Sequence, residues 1–177
     1  RNDDGLWGSS SNTFVDLAYN QKVWGVVGSV DGSNTHIALR VALKAETMLI
    51  VTASSDPTMN ETNIPWIIRT NPDDRQYGYK LAQLILKEKQ HRKVAVLRVN
   101  DTYGRKGATE FKDAARRMGH PIVLEVRYAL QDTDYSAQLE RIRKAGADAI
   151  VLWSNPFHAG GILKQMKPGD PAFEKLL

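Results

Sequence analysis

The chain has 177 residues, no cysteine, and 42% hydrophobic, 25% charged and 8% aromatic residues, a composition that excludes disordered and fibrous classes and leaves a globular protein with a core of its own. Without cysteine it has no disulfide, thiolate zinc site or cysteine nucleophile, and no apolar run approaches the ~20 residues of a membrane span. Against 20 Asp and Glu stand 24 Lys and Arg, a charge of +4, and these charges alternate (Arg105, Lys106, Glu110, Lys112, Asp113, Arg116, Arg117) as on solvated helix faces rather than forming the block of a nucleic-acid surface.

Apolar periodicity switches along the chain between short β-branched runs and longer segments spaced i, i+4, i+7, which predicts an α/β architecture. The opening RNDDG is turn-like and carries neither the basic nor the apolar region of a signal peptide. Residues 13–20 read as a helix, 22–28 (KVWGVVG) as a strand, 33–45 as a helix and 47–52 (TMLIVT) as a strand. A polar, aperiodic stretch at 56–63 (DPTMNETN) precedes a strand-like run at 65–69, and a second break at 70–74 (TNPDD) sets a lobe boundary near Thr70. A long helix follows from about Asp73 to Gln90, with Pro72 at its start and Tyr77, Leu81, Leu84 and Ile85 as its apolar stripe. Next come a strand at 93–99 (KVAVLRV), a helix carrying Phe111, Ala115 and Met118 and stopped by Gly119, and a strand at 122–126. A helix on Tyr135, Leu139 and Ile142, stopped by Gly146, leads to a strand at 149–152, and the closing PGDPAFEKLL begins a helix with no further strand. Such repeats call for parallel strands joined by right-handed crossovers. Strands covered on both faces are continuously apolar, so Trp24, Val26, Leu49, Ile50, Val94, Val96, Leu97, Ile150 and Leu152 are expected in the core.

In open parallel sheets ligands bind beyond the carboxyl ends of the strands, and four loops belong there. In SVDGSNTH (29–36), Ser33, Asn34 or Thr35 is suited to cap the next helix, whose free amides and dipole favour a carboxylate or phosphate; alternatively Gly32 and Ser33 form only a turn and a cap. TASSDP (52–57) offers hydroxyls and backbone groups to a small polar ligand, or is simply an Asx or Ser turn. In NDTYGRKG (100–107), Tyr103 stands just before a helix, either as an aromatic face for a ligand or as a lid on its own helix. WSNPFHAGG (153–161) places His158 near a helix start, where it is expected to be exposed and to matter little for binding. Dinucleotide, P-loop, nucleophile-elbow and HExxH motifs are missing. The four histidines (His36, His91, His120, His158) show no metal-ligand spacing, and His91 and His120 read as surface residues in connections. Of the carboxylate pairs Asp3/Asp4 and Asp73/Asp74, the second sits at a helix start, where capping is its evident task. These readings predict no catalytic residue, no cofactor and no metal.

Taken in order, DDG near the start, VWGVVGSVDGSNTH, LIVTASSDPTMNETNIPWIIRTNPDDRQ, KVAVLRVNDTYGRKG, DTDYSAQLERIRKAGADAIVLWS and GGILKQM resemble the branched-chain amino acid (leucine/isoleucine/valine-type) solute-binding proteins, which have the type I periplasmic binding fold and feed ABC transporters. The resemblance covers essentially the whole chain. It implies an α/β fold of two Rossmann-like lobes, parallel sheets flanked by helices, facing each other across a cleft, with residues 1–70 part of the first lobe and 71–177 part of the second. It also implies ligand-binding residues: Gly32 and Ser33 for a ligand carboxylate, Ser54 and Ser55 for an amino acid head group, and Tyr103 as the aromatic that the second lobe brings onto the ligand. The acidic residue that holds the ammonium in amino-acid-binding members belongs to a later loop outside this sequence. The first strand and helix of the first lobe, the end of the second lobe, the return segment and the family's small disulfide have no counterpart, so the fold is expected to be incomplete at both ends.

The function implied is that of an extracytoplasmic solute-binding component of an ABC transporter, periplasmic or extracellular. It would bind a small carboxylate-bearing solute such as an amino acid and partner the transporter permease, with no nucleic acid and no membrane insertion. The alternative is the ligand-sensing domain of a receptor or transcription regulator with the same fold. A dinucleotide-dependent enzyme lacks its fingerprint here. Alone, the chain is expected to be poorly soluble or oligomeric, because sheet edges and apolar surface that the missing segments cover stay exposed.

Overall fold

The computed structural model describes residues 7–166; the expectations for Asp3, Asp4, the opening turn and the closing PGDPAFEKLL fall outside them. The elements run α1 (Trp7–Val15), continued by a π-helical segment Asp16–Asn20, then β1 (Gly25–Val27), α2 (Gly32–Ala45), β2 (Met48–Val51), a 3-10 segment Pro57–Thr62 and β3 (Ile67–Arg69). After them come α3 (Asp74–Ala82), continued by a π-helical segment Gln83–Glu88, then β4 (Val94–Val99), α4 (Thr102–Arg117), β5 (Leu124–Tyr128), α5 (Ser136–Lys144), β6 (Ala149–Trp153) and α6 (Pro156–Gln165). Two compact units divide the chain, Arg1–Asp74 and Arg75–Leu177.

Each unit is built on its own parallel three-stranded sheet, ordered β1-β2-β3 in the first and β5-β4-β6 in the second. Every connection between paired strands carries a helical segment, as parallel pairing demands, because a tight turn cannot return the chain to the same edge. In the first unit Leu49 faces Val26 on one side and Ile67 on the other. Phe14, Ala38, Leu39, Ala42, Val51 and Met59 close around that sheet, so α1 and α2 supply most of its cover. In the second unit β4 is central and buried throughout. Its Ala95, Leu97 and Val99 pack with Tyr135, Leu139, Ile142 and Ile162 from α5, α6 and the turn before α5. Val94 and Val96 pack on the other face with Leu86, Phe111, Ala115 and Trp153. That two-sided cover is why β4 reads as an unbroken apolar run.

Several expectations need correction. Trp24 is not core: it is 98% exposed, just before the edge strand β1, of which only Val26 packs against the core of this unit. Val26, Ile50, Ile150 and Leu152 are only partly buried, whereas Leu49, Val94, Val96 and Leu97 are buried as expected. The strand expected at 22–28 shrinks to three residues, and the one expected at 122–126 shifts two residues onward to β5. The polar stretch after Asp56 is not irregular but a 3-10 helix with Asp56 as its cap and Pro57 in its first turn. Along α3 and its extension the inward row is Gly78, Ala82 and Leu86, while Tyr77 and Leu84 are exposed. A Cβ on Gly78 would lie 2.8 Å from the Phe111 backbone nitrogen. The helix therefore meets α4 at backbone distance at Gly78, where no side chain fits, while Leu81 and Ile85 of the expected stripe are partly buried against the core beside Leu86.

Candidate functional site

In the first unit the carboxyl ends of β1 and β2 are adjacent, and so are the two loops that leave them. Asp31, rather than Ser33, Asn34 or Thr35, caps α2: its carboxylate accepts the Asn34 amide at 2.9 Å, and its carbonyl accepts the Thr35 hydroxyl at 2.7 Å. That leaves the amides of Gly32 and Ser33, the first two of the helix, without an acceptor among the described residues. Helix-start amides of this kind, with the helix dipole behind them, attract anions. A Cβ on Gly32 would lie 3.3 Å from the Ser54 Oγ and 3.3 Å from the Asp56 Cβ. The bare glycine is what lets the helix start sit against the β2 loop.

That loop is held rigidly. The Ser54 carbonyl accepts Asn71 Nδ2 at 3.2 Å, the Ser55 carbonyl accepts the Asp74 amide at 2.8 Å, and the Asp56 carbonyl accepts Arg69 at 2.9 Å. Asp56 is buried and takes the Thr58 amide and hydroxyl on one oxygen and His36 Nε2, at 3.1 Å, near the other. Arg69 also reaches Asp73 at 3.1 Å, so Asp73 forms an ion pair with the strand before its helix. The backbone carbonyls of the loop are thus occupied within the protein. The hydroxyls of Ser54 and Ser55, both on buried residues, make no bond to another described residue. Gly32 and Ser54 are therefore neighbours, each followed in the chain by the other expected residue of its loop, Ser33 and Ser55. Asp31, Asp56, Asn71, Arg69 and His36, which shape these loops, are not among the expected site residues. Asp31 was legible as the acidic residue directly ahead of the helix; Asn71 and Arg69 come from another strand end, which local pattern does not reveal.

In the second unit Asp101 caps α4, accepting the Gly104 amide at 2.7 Å. Tyr103 is the second residue of that helix, 40% exposed, with its ring 6.3 Å from Trp153. Gly104 and Gly107 press α4 onto the sheet: a Cβ on the first would strike the Val99 carbonyl and on the second the Trp153 indole. His158 is not exposed but 6% accessible, its Nδ1 2.8 Å from the Tyr135 hydroxyl. The reason is local: Asn155 caps α6 by accepting the His158 amide, which turns the ring inward onto Tyr128 and Tyr135. His91 lies 3.7 Å from Asp148, and His120 lies 2.7 Å from Arg92.

A family model described as periplasmic binding protein matches residues 8–171. The chain belongs to this family. It is a family of solute-binding proteins, not of enzymes. Among curated relatives, an "Amino acid binding protein" of Pseudomonas aeruginosa is 27% identical over 89% of this chain and 41% of its own length. The "Leu/Ile/Val-binding protein homolog 3" of Brucella melitensis is 30% identical over 86% of this chain and 41% of its own. Among solved structures, the branched-chain amino acid substrate-binding protein LivJ of Streptococcus pneumoniae, in complex with isoleucine, superposes with a TM-score of 0.83 at 22% identity, over 93% of this chain and 47% of that one. A solute-binding protein of Rhodopseudomonas palustris in complex with 3,4-dihydroxybenzoic acid gives 0.83 at 24% identity, over 93% and 45%. The chain therefore spans less than half the length of these relatives, with the α/β fold of parallel sheets flanked by helices that they share. Among the described residues no helix is long and apolar enough to cross a membrane.

Proposed function

We propose that the chain is part of an extracytoplasmic solute-binding protein that serves an ABC transporter and takes a small carboxylate-bearing solute, an amino acid or an aromatic acid, without chemical change. One observation supports the reading: the start of the helix after β1, where the Gly32 and Ser33 amides are open, lies against Ser54 of the β2 loop at the carboxyl end of one parallel sheet, and the Ser54 and Ser55 hydroxyls are unengaged among the described residues. That is the edge where such sheets bind ligands, and the group that fits amides and hydroxyls at a helix start is an anion. Tyr103 holds the equivalent place on the second sheet and offers an aromatic face.

The relatives' ligands define the test. L-Isoleucine and 3,4-dihydroxybenzoate are titrated against the full-length protein by thermal shift, and a ligand at ~100 times its dissociation constant stabilises by ~2.7 kcal/mol. A hydrogen bond to a charged group contributes about 1.5–3 kcal/mol, so Ser55→Ala weakens the binding ligand roughly ten- to a hundredfold. Tyr103→Ala costs more, because packing is lost as well. Calorimetry showing unchanged affinity for both variants would place the ligand elsewhere.

A further inference from the structure

At the carboxyl edge of the second sheet, two loops are joined by a buried polar cluster that the ligand-binding reading does not use. Residues 129–135 follow β5 and residues 154–158 follow β6. Tyr135 has one hydroxyl proton and gives it to the Asp132 carbonyl at 2.8 Å. His158 Nδ1, 2.8 Å from the same phenolic oxygen, is then the donor to it, which selects the Nδ1–H tautomer. The same bookkeeping holds one step away: Ser154 Oγ donates to the Asn155 carbonyl at 3.1 Å, so Tyr128 donates to Ser154 across 2.5 Å. Burial raises both phenols above their ordinary value of 10.0, with the Asp132 carboxylate adding to the effect at Tyr135, so both keep the protons they donate. Gln165 completes the join by accepting the Tyr135 amide at 2.7 Å and donating to the Thr133 carbonyl at 2.7 Å. The His158 ring lies 5.2 Å from Tyr128, 6.4 Å from Tyr135 and 5.4 Å from Phe157, packed rather than loose.

The geometry points to His158 as a positioning residue: through its bond to Tyr135 it locks the β5 and β6 strand-end loops into one body, and so sets ligand affinity without touching the ligand. This rests on the reading that the carboxyl edge of the sheet meets the solute. A buried imidazole serving only as filler would be replaceable by any ring of similar size. A coupler needs its Nδ1 donor and the Tyr135 hydroxyl together.

The test uses the full-length protein and four variants: His158→Phe, Tyr135→Phe, their double, and His158→Asn, whose side-chain amide puts a donor near the Nδ1 position. Without ligand, amide hydrogen exchange is expected to quicken in both loops of His158→Phe and of Tyr135→Phe, with β4 unchanged, and to be restored by His158→Asn. Exchange altered in only one loop, or not at all, overturns the coupling. With L-isoleucine or 3,4-dihydroxybenzoate, whichever binds the unaltered protein, calorimetry is expected to show each single variant weakened about three- to tenfold, the double no weaker than either single, and His158→Asn near the unaltered affinity. Losses that multiply in the double variant, or an unchanged affinity beside altered exchange, overturn the link to binding. If neither solute binds the unaltered protein, the carboxylate reading fails, and the exchange data still decide whether His158 couples the loops.

Discussion

Glycine positions in the second unit show how one missing Cβ sets a contact. On α4, Gly107 lies against the Trp153 indole, where a Cβ would fall 1.9 Å from the ring, and both residues are buried. On propensity alone an alanine in a helix interior gains about 1 kcal/mol over glycine. Overpacking a rigid core costs about 1–3 kcal/mol and sometimes more. The clash therefore wins, and Gly107→Ala is expected to lower the chemical denaturation midpoint. Gly160, inside α6, has nothing within 4 Å of its Cβ position. There only the propensity and unfolded-state effects act, and Gly160→Ala is expected to raise the midpoint, with a gain in stability of about 0.4–1 kcal/mol. Equal signs for the two variants would show that local packing does not govern either site.

Between elements, a charged cluster ties β4, β5 and α4 together. Arg98, buried on the central strand, donates from Nε to Glu125 at 2.6 Å and from a terminal nitrogen to the Val99 carbonyl at 3.1 Å, while Lys112 of α4 reaches the other Glu125 oxygen. Burial pushes the Glu125 carboxyl up, but the hydrogen bonds from Lys112 and Arg98, with their charges, outweigh it and hold the group below its ordinary value of 4.5. A carboxyl whose pKa falls on folding adds stability that is fully present above the unfolded value and is lost as pH drops through the folded one. Glu125→Gln is therefore expected to be less stable than the unaltered chain at neutral pH, with the gap narrowing below about pH 4. Urea melts at pH 7 and at pH 3 check it, and a gap that is constant or widens on acidification contradicts the assignment.

For the molecule as a whole, the two units differ in how completely their sheets are covered. The second has helices on both faces of its sheet and a strand buried end to end. Beside the first sheet, Trp24, Val27 and Val30 are 98%, 69% and 80% exposed, just before, at the end of and just after an edge strand of three residues. An open edge flanked by large apolar side chains is a template for pairing with another chain. The 177-residue chain on its own is expected to self-associate, and Trp24→Lys with Val27→Lys to reduce that association, as read by sedimentation velocity. A monomer at high concentration would show that this surface is covered from within.

The amino-acid sequence by itself determined the class of fold and the order of its parts. Alternating β-branched runs and helical periods can be packed only as parallel βα units, and the strongest run, β4, is the one buried on both sides. The loops worth inspecting were legible for the same reason, since chain order alone says which ends of parallel strands are carboxyl ends. Tertiary structure decided the rest. Whether Trp24 is core depends on what lies beside β1, and whether Tyr77 or Gly78 faces α4 depends on how close two helix axes come; neither is a property of a local window. His158 looked like a surface histidine because its partner, Tyr135, is far away in sequence, and Ser54 and Gly32 became neighbours only once β1 and β2 paired. Hydropathy reports how much each residue gains by leaving water. Which surface it leaves water against is set by contacts between distant segments, and those exist only in the folded chain.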